Sequence, residues 1–122
     1  MNERILIVED EAITALDLKY SLEELGYEVI DTVDTGQDAI DTATETIPDV
    51  VLMDIKLKGD MEGIEAAEII SKLGVPIVYL TANTDTDTFQ KSKGAYGFIS
   101  KPYDISKLNE TLKSTIEKSK RE

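Results

Sequence analysis

Glu9, Asp10, Asp54, Thr81 and Lys101 supply three carboxylates, a hydroxyl and an ammonium group, and each stands at or just beyond the end of a short apolar run. The runs are Ile5-Leu6-Ile7-Val8, Val50-Val51-Leu52-Met53, Ile77-Val78-Tyr79-Leu80 and Phe98-Ile99. A short unbroken apolar run reads as a strand buried on both faces, as in a parallel sheet covered by helices. Ligands of open α/β sheets lie beyond the carboxyl ends of the strands, so four such strands side by side would bring these groups to one edge. The chain contains neither cysteine nor histidine, which removes thiolate and imidazole ligands and histidine acid–base chemistry. The metal chemistry left is a hard divalent cation on carboxylate oxygens. Taken singly, Asp10 reads as a helix cap, Glu9 and Lys101 as solvated charges, Asp54 as the start of a turn, and Thr81 as a backbone hydrogen-bonding partner. Only the set, repeated at four strand ends, points to a site.

The elements that must position these groups alternate strand and helix. Arg4 to Val8 is the first strand, with Asp10 placed to cap a helix over about 12–25. That helix carries two apolar rows, Ile13, Leu16 and Tyr20, and Ala15, Leu18, Leu22 and Leu25, which together form one wide stripe ended by Gly26. Residues 27–32 suit a short edge strand, since Asp31 interrupts the apolar pattern. Thr35 and Asp38 form a capping pair for a second helix through Ala39, Ile40 and Ala43, and Pro48 closes that unit. After the central strand and a loop with two glycines, a third helix spans about 64–73, with Ile64, Ala67 and Ile70 on its buried row. A weaker helix over 84–93, a strand over 97–99 and a last helix through Leu108, Leu112 and Ile116, ending in Lys118-Ser119-Lys120-Arg121, complete the chain. The pattern predicts a doubly wound α/β domain.

At 122 residues and 13.5 kDa the chain fits a single domain over 1–122. Its 13 Lys and Arg against 25 Asp and Glu give a formal charge of −12, which repels phosphate backbones and anionic headgroups. No binding of nucleic acid or membrane by this domain is expected. Without a membrane-length apolar stretch or a signal-peptide pattern after Met1, the expected location is cytoplasmic.

Ile7-Val8-Glu9-Asp10-Glu11, Met53-Asp54, Leu80-Thr81-Ala82 and Ser100-Lys101-Pro102, in this order and spacing, resemble the receiver domain of two-component response regulators over nearly the whole chain. The resemblance implies a flavodoxin-like, CheY-like fold: a five-stranded parallel sheet in the order 2-1-3-4-5 with five helices. It implies that Asp54 accepts a phosphoryl group, and that Glu9 and Asp10 hold Mg2+, or another divalent cation such as Mn2+, with Asp10 and Asp54 as ligands. The carbonyl of Lys56 would complete the protein's share of the shell. Thr81 falls on the family's hydroxyl position, Lys101 on its ammonium position, Pro102 on the proline after a cis peptide, and Phe98 on the aromatic switch. Lys56 and Asn83 flank the path of an attacking water and are expected to set the lifetime of the acyl phosphate.

The implied partners are a sensor histidine kinase or phosphotransfer protein, with a downstream protein target or a homodimer on the output side. Docking through the first helix would use Thr14, Asp17 and Ser21. The expectation is of a signalling module that catalyses only its own phosphorylation and dephosphorylation. A phosphohydrolase of the haloacid-dehalogenase type would want an acid two residues after its nucleophile, where this chain has Lys56. No Ser/Thr/Gly-rich phosphate loop follows the first strand, and no GxxxxGKS/T pattern occurs. If Glu122 is the natural end, the module stands alone; otherwise it heads a larger regulator.

Overall fold

The computed structural model describes residues 3–54, 63–81, 97–100 and 104–121. Five parallel strands form one sheet: β1 (Arg4–Val8), β2 (Glu28–Val33), β3 (Val50–Asp54), β4 (Ile77–Thr81) and β5 (Gly97–Ser100), in the order β2-β1-β3-β4-β5. Four helices cover it among the described residues: α1 (Ala12–Glu24), α2 (Gly36–Thr46), α3 (Gly63–Ser71) and α4 (Ile105–Arg121). The helix expected over 84–93 lies outside the described residues.

Alternate side chains of each central strand enter opposite layers, as the pleat requires. Ile5, Ile7, Val50, Leu52, Val78, Leu80 and Ile99 meet Leu18 and Leu22 of α1 and Leu108, Leu112 and Ile116 of α4. On the other face, Leu6, Val8, Val51, Met53, Ile77 and Tyr79 meet Ala39 and Ala43 of α2 and Ala66, Ala67 and Ile70 of α3. Every residue of β3 is buried, so burial on both faces accounts for its unbroken apolar run. At β5, a Cβ built on Gly97 would lie 2.9 Å from Thr111 Cγ2, so a side chain here would force the Thr111 side chain of α4 to shift.

Two expectations for α1 are corrected. The helix buries Ala15, Leu18 and Leu22, whereas Ile13, Leu16 and Tyr20 are 85%, 49% and 60% exposed. One row is enough to cover β1 and β2, and a helix turned to bury one row must present the other outward. Asp10 is not the cap either: Glu11 holds that position, with no side-chain capping bond. The Thr35–Asp38 pair behaves as expected, the Asp38 N–H donating to Thr35 Oγ1 at 3.1 Å. Ile64 is only half-buried, and α3 stops at Ser71, short of the expected 73.

The edge strand carries a bulge. Ile5 pairs with Val29 and Leu6 with Asp31, leaving Ile30 as the extra residue. The added residue lets Ile30 and Val33, three apart, pack against the same layer. It also brings Asp31 and Thr32 to the rim of a groove beside α1.

Helix α2 ends in a strained residue. Ile47 has φ 44° and ψ 72°, its N–H donates to Ala43 O at 2.8 Å, and its side chain is half-exposed. The left-handed region disfavours a β-branched residue, whereas glycine enters it freely. Ile47→Gly should therefore raise stability by about 1 kcal/mol, read from urea unfolding, because the relieved strain exceeds the added entropy of the unfolded chain.

Tyr79, in the layer under α3, has its phenol pushed up to about 12 by burial and, secondarily, by the charge of Glu68. The folded state thus holds this proton more tightly than the unfolded chain does. Its contribution to stability is complete below pH 10 and is lost as pH rises from 10 toward 12. Melting temperatures across that range should fall less steeply for Tyr79→Phe than for the wild type.

Candidate functional site

Register sets the site. Val8 pairs with Met53, so Glu9 and Asp54 end adjacent strands at the same level. Asp54 pairs with Leu80 and Thr81 with Ser100, which puts the ends of β4 and β5 on that same edge. The four strand ends named from the sequence therefore share one rim, and three of its acidic side chains come together. Each of Glu9, Asp10 and Asp54 places a carboxylate oxygen within 4.8 Å of the others.

Glu9 and Asp54 are buried, 2% and 8% exposed, while Asp10 is half-buried at the rim. Glu9 is anchored through its backbone, its N–H donating to Val33 O at 2.9 Å. Its Oε2 accepts from the Asp10 N–H at 3.0 Å, which fixes the two acids relative to each other. Asp10 is drawn into this cluster instead of capping α1.

Three carboxylates at this separation repel one another strongly where water is scarce. The donor set is all hard oxygen, as magnesium and calcium prefer, and the absence of histidine and cysteine from the chain leaves zinc without its usual ligands. By charge, spacing and donor type the cluster fits a divalent cation. The resulting pocket can concentrate positive charge beside these carboxylates.

The remaining expected site residues are placed by backbone or fall outside the description. Thr81 closes β4 and Phe98 pairs with Tyr79 in β5. Lys56, Asn83, Lys101 and Pro102 lie outside the described residues. On α1, Asp17 is exposed, but Thr14 and Ser21 are half-buried, so the polar row expected to face a partner is only partly outward. The apolar row Ile13, Leu16 and Tyr20 is the more exposed one, and the two-row stripe in the sequence already contained it.

A groove of about 550 Å3 opens from Glu9 and Asp10 between α1 and the end of β2, and is lined further out by Leu16, Lys19, Asp31 and Asp34. Among the described residues no helix is long and apolar enough to cross a membrane.

Comparison with known proteins gives a consistent likeness. A family model described as the response regulator receiver domain matches residues 5–113. The chain is 43% identical over 108 residues to the transcriptional regulatory protein PdtaR of Mycobacterium tuberculosis, across 86% of this chain and 52% of that protein. It is 33% identical over 120 residues to sporulation initiation phosphotransferase F of Bacillus subtilis, across 95% of each. The chain thus spans about half the length of the first of these relatives and nearly all of the second. Among solved structures, the receiver domain of a sensor histidine kinase from Pseudomonas aeruginosa, described with a magnesium ion coordinated in its active-site cleft, matches with a TM-score of 0.86 and 28% identity. The match covers 96% of this chain and 99% of that one.

Proposed function

The chain belongs to the response regulator receiver domain family, and from that premise we propose that Asp54 accepts a phosphoryl group from a sensor histidine kinase or a phosphotransfer protein. The observation that carries this reading is the convergence of Glu9, Asp10 and Asp54 within 4.8 Å at the ends of β1 and β3. In the transfer, the P–N bond of a phosphohistidine breaks, an Asp54 carboxylate oxygen forms the new P–O bond, and the imidazole nitrogen leaves with the bonding electron pair.

Asp10 and Asp54, with Glu9 behind them and the carbonyl of Lys56, would hold a magnesium or manganese ion, which when bound supplies the positive charge that offsets the carboxylates and the phosphoryl oxygens. Lys101 adds a further cation to the phosphoryl group, and the Thr81 hydroxyl donates to one of its oxygens. Drawing Thr81 toward Asp54 would let Phe98 turn inward and change the surface offered to a downstream protein or a second copy. Lys56 and Asn83 set how readily water reaches the acyl phosphate. The module is a single cytoplasmic domain that catalyses only its own modification.

Intact mass after incubation with acetyl phosphate and magnesium tests the assignment. The expected result is one phosphoryl adduct on the wild type and none on Asp54→Asn. An adduct that persists in the variant would place the acceptor elsewhere.

A further inference from the structure

At the edge where the strands begin, opposite Asp54, a cavity of about 260 Å3 opens between the end of α1, the start of β2 and the last turns of α4. Leu25, Tyr27 and Ile116 give it an apolar floor. The floor is fixed by its surroundings: the Tyr27 hydroxyl donates to Asn109 Oδ1 of α4 at 2.9 Å, and Tyr27 and Ile116 belong to the core layer beneath α1 and α4. The mouth is open at Gly26, where an added Cβ would meet nothing within 4 Å. Drug-sized ligands fill pockets of roughly 300 Å3 or more, so this cavity suits a smaller, metabolite-sized molecule.

The charge around the floor is one-sided. Glu3 and Glu117 line the cavity, with Lys113 as the cation among its lining residues. Helix α1 brings its carboxyl end to the same wall, where Glu23 and Glu24 precede Leu25 and Gly26 and no basic residue stands in the last turn. A helix carboxyl end carries about half a negative charge and is ordinarily matched by Lys, Arg or His. Here carboxylates are added to it instead. Burial, and after it the charge of Glu3, push the Tyr27 phenol up, as a negative wall beside the floor requires.

We propose that this cavity binds a small organic cation, a primary amine on a short aryl or branched alkyl body, with the body on Leu25, Tyr27 and Ile116 and the ammonium group facing Glu3 and Glu117. Burial of the body supplies most of the affinity, and the carboxylates select for charge. A second copy of the chain, itself at −12, is repelled from the same surface. The proposal is independent of the role of Asp54.

The test titrates the isotope-labelled full chain with phenethylamine and, separately, with phenethyl alcohol and hydrocinnamate, which carry the same ring on a neutral and an anionic group. Binding is followed by amide correlation spectra. At low salt the amine should bind at least about fivefold more tightly than the alcohol, the carboxylate should bind most weakly, and rising salt should shrink the difference. Shifts should saturate and centre on residues 25–28 and 113–117. The double variant Glu3→Gln, Glu117→Gln should bring the amine down to the affinity of the alcohol and leave the alcohol unchanged, which reports an intact cavity. Phenethylamine should raise the melting temperature of the wild type more than that of the variant.

Equal affinity for amine and alcohol in the wild type, a preference indifferent to salt, or an undiminished preference in the double variant would overturn the proposal. So would the lack of a saturable shift at the cavity with any of the three probes. Shifts centred on Asp31, Asp34 and Asp38 would overturn it too, since acidic charge alone would then be attracting the amine.

Discussion

Chelating divalent cations should slow acetyl phosphate labelling of Asp54 on the order of a hundredfold or more, and restoring magnesium should recover it. On the proposed reading the attacking Asp54 oxygen is an anion, its phosphoryl target is an anion, and two more carboxylates stand within 4.8 Å. Glu9 and Asp54 are buried, so water screens this repulsion poorly. A deficit of a few kcal/mol is therefore expected for the metal-free site, and about 1.4 kcal/mol corresponds to a tenfold change in rate. Calcium is a useful contrast, because it binds oxygen donors at longer distances and with looser geometry. It should protect the fold against heat yet support labelling less well. Equal labelling with and without chelator would mean that protein cations alone neutralise the site.

Asp54→Asn should melt at a higher temperature than the wild type in the absence of divalent cations, a gain of about 1–2 kcal/mol, and should respond less to added magnesium. The substitution keeps the shape of the side chain while deleting one of three mutually repelling charges. At 4.8 Å, the widest of the three separations, and an effective dielectric constant near 20, a pair of full charges would repel by about 3.5 kcal/mol, and solvent around the half-buried Asp10 together with the lost interactions of the Asp54 carboxylate bring the net gain well below that figure. For the wild type, magnesium at a hundred times its dissociation constant adds about 2.7 kcal/mol by mass action. Thermal scans of both proteins over a magnesium titration separate these terms. A variant less stable than the metal-free wild type would mean that hydrogen bonding of the Asp54 carboxylate outweighs its repulsion from Glu9 and Asp10.

Much of the fold was legible because local pattern and global burial agree. The runs at 5–8, 50–53 and 77–80 are strands buried on both faces, and side chains with no polar exposure to preserve need no alternation. The Thr35–Asp38 cap was readable because a capping bond spans only three residues. Gly26 was readable at the end of α1 because the chain reverses there at φ 97°, a conformation glycine adopts without strain.

Other features depended on neighbours that no local window contains. Two apolar rows on α1 have the same helical period, and only packing against β1 and α4 decided that Ala15, Leu18 and Leu22 face inward. Asp10 sits where a cap belongs, yet the backbone of Glu9, tied to Val33, turns it toward Asp54 instead. The bulge at Ile30 and the left-handed Ile47 leave no signature in residue type, because each is a strain imposed by the elements on either side. Residue types and spacing determined which groups could do chemistry and that they would lie at strand ends. Tertiary structure alone decided that three carboxylates meet, because their convergence depends on inter-strand register, and which row of α1 stays exposed, because burying one face of a helix leaves the other in water.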